Sequence, residues 1–62
     1  MNDKFTITKG TDGAYLLFHH RESFGHGDKL ISVGNQTISE AHKHIKPYVD
    51  EFDIGSYEVE IR

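Results

Sequence analysis

Sixty-two residues, a formal charge of −3, 35% hydrophobic residues and no cysteine leave room for one small domain, read here as residues 1–62. Such a chain buries only about 60% of its unfolded surface, and no disulfide or thiolate metal site supplements that core. The negative charge speaks against retention on nucleic acid by bulk electrostatics, and an apolar run such as Tyr15–Phe18 is far too short to cross a membrane.

Met1-Asn-Asp-Lys has no hydrophobic region behind it and does not read as a signal peptide. Together with the missing cysteines, this gives the expectation of a cytoplasmic protein. Lys4–Thr8 then alternates, with Phe5 and Ile7 on one face and Thr6 and Thr8 on the other, as a half-buried strand does. Lys9–Gly13 supplies turn chemistry, and Asp12-Gly13 suits a hairpin connection of about three to five residues.

Ala14–His20 is the second expected strand. Tyr15, Leu16, Leu17 and Phe18 make it apolar on both faces, which points either to a central place in the sheet or to an interface. Arg21–Asp28 reads as a loop. Gly25 and Gly27 loosen the backbone around His26, and Phe24 is a lone aromatic there. Lys29–Val33 is the third strand, ended by Gly34-Asn35.

From Thr37 to Phe52 the apolar residues are Ile38, Ala41, Ile45, Tyr48, Val49 and Phe52. That spacing lays one stripe along a 3.6-residue helix. Thr37 and Glu40 form a capping box, in which the Thr hydroxyl accepts from the Glu40 amide and the Glu carboxylate reaches back to Thr37. Pro47 interrupts the pattern because it cannot donate to the Lys43 carbonyl and crowds it. The spacing therefore predicts a kink at Lys43–Pro47 or two short helices sharing one stripe. Gly55 is the expected left-handed residue after the helix, with Ile54 plugging its end. Tyr57–Arg62 is the last strand, with Tyr57, Val59 and Ile61 alternating with Glu58, Glu60 and Arg62.

The fold class that follows is α+β, in the order β-β-β-α-β. Three strands form an antiparallel meander, one Pro-kinked helix covers one face, and the last strand returns parallel to the first or the third strand, with the first favoured. The expected sheet order is 3-2-1-4.

Chemistry-bearing patterns are weak. The five histidines have no spacing that places ligands together. His19 and His20 face opposite sides of a strand, and His42 and His44 point roughly 200° apart around a helix. No metal, cofactor or catalytic residue is assigned, and the chain reads as non-enzymatic. Phe5, Tyr15, Phe18 and Tyr57 on one sheet would support an alternative, the stacking of single-stranded bases. The leading expectation is a protein-interaction module that docks on a larger partner with a basic or apolar surface, through a sheet edge or face. The expected contact residues are Tyr15, Leu17, Phe24, Glu58 and Glu60. Homodimerisation is the related possibility for so marginal a core. In size and style the chain is similar to the small early proteins that phages use to inhibit host enzymes or defence systems. That resemblance extends to format and to no motif.

Overall fold

The computed structural model describes residues 3–21, 25 and 27–62. Strand β1, Asp3–Lys9, pairs antiparallel with β2, Tyr15–Arg21, placing Phe5 opposite His19 and Ile7 opposite Leu17. The loop between them closes through the Gly10 amide, which donates to the Ala14 carbonyl at 2.7 Å. Asp12 Oδ1 accepts from the Ala14 amide at 3.1 Å, and Gly13 takes φ 87°, a value that favours glycine.

Strand β3, Lys29–Asn35, pairs antiparallel with β2, and β4, Tyr57–Ile61, pairs parallel with β1. The four-stranded sheet has the order β3-β2-β1-β4, with the last strand beside the first, the favoured of the two expected placements. β3 continues through Gly34 instead of ending at it. Two register shifts interrupt its pairing with β2, and Gly34 sits at φ 72°. The buried Asn35 side chain secures the irregular end by donating to the Tyr15 carbonyl at 3.1 Å and to Ser32 Oγ at 3.0 Å.

The helical stretch is α1, Ile38–Lys43, followed by α2, Ile45–Phe52. The interruption falls at His44, whose amide donates to the Ala41 carbonyl at 3.1 Å, three residues back. Pro47 thereby lies in the first turn of α2, where a missing N–H costs nothing. His44 keeps near-helical dihedrals, φ −78° and ψ −12°, so the apolar stripe passes through the break.

Two details of the caps differ from expectation. Thr37 Oγ1 accepts from the Glu40 amide at 3.1 Å, but the Glu40 carboxylate reaches the Gln36 amide, at 2.7 Å, one residue beyond the predicted partner. The left-handed residue after α2 is Asp53, at φ 54° and ψ 47°, and not Gly55. The Ile54 amide donates to the Val49 carbonyl at 3.0 Å, and the Ile54 side chain is buried in the core.

The core is Phe5, Ile7, Leu17, Ala41, Ile45 and Ile54, with Tyr15, Ile31, Ile38, Tyr48 and Val49 packed around it. Each of the large aliphatic and aromatic side chains in it contributes about 1.5–3 kcal/mol by leaving water. No helix among the described residues is long and apolar enough to cross a membrane.

Candidate docking surface

Strand β4 is the incomplete margin of this fold. Its alternation puts Tyr57, Val59 and Ile61 on the helix side, level with Asp3, Phe5 and Ile7. The helices leave it largely uncovered, since α1 packs over β1, β2 and β3. Tyr57, Val59 and Ile61 therefore remain 40%, 38% and 54% exposed, although Tyr57 keeps an edge-on contact with the Phe5 ring.

The main chain of β4 is open on the same margin. The Arg62 amide donates to the Ile7 carbonyl at 2.8 Å. In a parallel ladder, Glu58 and Glu60 then turn their N–H and C=O groups to β1, while Tyr57, Val59 and Ile61 turn theirs outward. Among the described residues β4 pairs with β1 alone. The opposite margin of the sheet differs, because the register shifts and Gly34 in β3 spoil it as a template for another strand.

Glu58 and Glu60 lie on the sheet face away from the helices. Glu60 bonds Lys4 Nζ at 2.9 Å and also Arg62 Nε. The hydrogen bond from Lys4, seconded by that from Arg62, holds the Glu60 carboxyl below the usual glutamate range. Glu58 has no ion-pair partner among the described residues. A depression of about 200 Å³ beside this cluster is lined by Lys4, Thr6, His20, Asp28 and Arg62. His20 Nδ1 bonds Asp28 there at 2.8 Å. Its cations thus already face carboxylates of this chain.

On the other sheet face a polar chain runs beneath α2. Asp3 Oδ1 accepts from Arg21 Nε at 2.7 Å and from His19 Nε2 at 2.8 Å, and His19 Nδ1 lies 2.8 Å from the Tyr48 hydroxyl. A carboxylate only accepts, so Nε2 carries hydrogen, and in the neutral ring Nδ1 accepts from the Tyr48 O–H. The Arg21 hydrogen bond, followed by that from His19, lowers the Asp3 carboxyl below its ordinary range against the opposing effect of burial. The His19 ring stacks on Phe5 at 4.9 Å between centroids, and Lys29 Nζ stands over the rings of Tyr48 and Phe52 at 5.7 and 5.1 Å. These contacts fasten the helix to the sheet.

The expected contact residues fare unequally. Leu17 is fully buried in the core and Tyr15 packs against it, so the two-sided apolarity of β2 presents Leu16 and Phe18, not Tyr15 and Leu17, on the open face. Leu17 therefore offers no surface to a partner in this fold. Phe24 and the neighbouring His26 lie outside the described residues. Glu58 and Glu60 stand on the open face beside the β4 edge. Three of the rings named for base stacking, Phe5, Tyr15 and Tyr57, are on the helix side, which leaves Phe18. His19 and His20 do face opposite sides, and among the described residues no three metal-ligating side chains converge. On β4, Val59 and Ile61 are exposed residues that sequence reasoning missed. Their strict alternation marked them for the core, and only the lateral position of the helix leaves them bare.

Comparison of the chain with protein-family models, with curated proteins and with solved structures gave no match.

Proposed function

We propose that this protein is a non-catalytic docking module that binds a protein partner by strand addition at β4. The observation that carries the proposal is the coincidence, on one regular five-residue strand, of outward main-chain groups and exposed Tyr57, Val59 and Ile61. A partner strand laid there would satisfy the main chain by hydrogen bonds, while side chains on its two faces would meet the apolar row and the Glu58–Glu60 row. Covering a host enzyme or defence protein in the manner of a phage inhibitor would need nothing beyond such an edge.

The test is capture of partners from the source cell with the wild type, with Val59→Pro and with Phe18→Ala. Proline at Val59 removes an outward N–H that β1 does not use, so the fold tolerates it better than at the flanking positions. A protein held by the wild type and Phe18→Ala but lost with Val59→Pro supports edge docking. Retention by Val59→Pro refutes it.

A further inference from the structure

Resting on the edge-docking reading above, we infer that the occupant of the β4 edge is a second copy of this chain, paired antiparallel about a twofold axis at Glu60. The outward residues of β4 are odd-numbered, so two copies can bond only in registers that oppose odd to odd. Three such registers retain most of the strand. With Val59 opposite Val59 of the other copy, Glu58 opposes Glu60 twice, which sets like charges side by side. With Glu58 on the axis, Glu58 opposes its own copy and Arg62 loses its opposite number.

With Glu60 on the axis, Glu58 opposes Arg62 of the other copy on both sides, and Val59 opposes Ile61 twice. Of the two β4 carboxylates Glu58 is the one without an ion-pair partner among the described residues, and Arg62 has guanidinium N–H groups beyond the Nε that bonds Glu60. The two Glu60 carboxylates meet at the axis, each already held by Lys4 and Arg62 of its own chain. On the helix side, Val59 and Ile61 form an apolar row of four side chains from two copies. The helices of both chains flank that row, and the sheet becomes continuous across the axis.

Surface area sets the expected strength. A standard interface takes about 800 Å² from each partner, a large share of the 4330 Å² on this molecule. A five-residue edge with its side chains offers less, so the dimer should dissociate in the micromolar range.

The experiment is sedimentation equilibrium of the full chain at concentrations from about 1 μM to 1 mM, with hydrogen exchange at both ends of that range. The wild type should dimerise, and the Val59 and Ile61 amides should gain protection as concentration rises. Glu58→Arg and Arg62→Glu should each weaken self-association about tenfold by opposing like charges. An equimolar mixture of the two variants should restore it, because each substituted position then meets its opposite charge. Val59→Pro serves as the check that does not depend on charge, and should be monomeric with its melt retained. A wild type that stays monomeric at 1 mM overturns the second copy while leaving strand addition by another protein intact. A dimer unaffected by Val59→Pro overturns the edge assignment for self-association. If the mixture fails to recover, the register is wrong.

Discussion

The imidazole Nδ1 of His19 and the hydroxyl of Tyr48 lie 2.8 Å apart across the joint between sheet and helix. His19 is 1% exposed, and its other nitrogen bonds Asp3. Tyr48→Phe would remove the hydroxyl that bonds this buried ring nitrogen while keeping most of the packing. The expected loss is about 1–3 kcal/mol, read from the urea midpoint. A cycle with His19→Phe should give a coupling of about 0.5–3 kcal/mol. Additive losses would mean that the two groups do not act as a pair.

The same network gives the protein an acid-sensitive component. The Asp3 carboxyl titrates below its ordinary range in the fold, mainly because of Arg21, with His19 adding to it. A group depressed in this way adds stability above its unfolded value, near pH 4, and loses it as pH falls through the folded value. Asp3→Asn should therefore be clearly less stable than the wild type at pH 7. The gap should narrow steadily below about pH 4. A gap that is unchanged between pH 7 and pH 2 would show that Asp3 contributes through shape and not through charge.

Strand β2 supplies a direct test of which side faces the helix. Leu17 is fully buried, whereas Phe18 faces outward and is half-buried. Leu17→Ala should cost about 2–5 kcal/mol through lost burial and the cavity it leaves. Phe18→Ala should cost less than half of that. Equal costs would place both side chains in comparable surroundings, and the sheet would not be one-sided.

That strand also shows how far the sequence could be read. Period-2 alternation in β1 and β4, the helical stripe and the Pro47 interruption are local signals, and they carried the element order; the place of β4 beside β1 and not β3 is a long-range choice that they do not fix. Which side of Tyr15–Phe18 would be buried is not a local property, because a strand apolar on both faces gives no phase. The phase is set by pairing with Phe5 and Ile7. The exposure of Val59 and Ile61 was illegible for a related reason. Their pattern is that of a covered strand, and only the placement of α1 over β1, β2 and β3 leaves them uncovered. Asp53, and not Gly55, is the left-handed residue because the Ile54 amide bonds the Val49 carbonyl while the Ile54 side chain enters the core, which fixes the turn two residues earlier.

Asp53 therefore holds a backbone conformation, φ 54°, that a side chain disfavours. Glycine there would remove the Cβ conflict, and its added freedom in the unfolded chain would offset part of the gain. Asp53→Gly should stabilise the protein by about 0.5–1 kcal/mol, seen as a higher urea midpoint with an unchanged slope. Gly55→Ala should do little by comparison, since Gly55 does not take a positive φ and a Cβ there meets nothing within 4 Å. If the two substitutions changed places, with Gly55→Ala destabilising and Asp53→Gly neutral, the chain would leave α2 by the turn that the sequence pattern predicts. Ile54 would then no longer sit over the helix end, and the path that delivers β4 to the edge of the sheet would have to be redrawn.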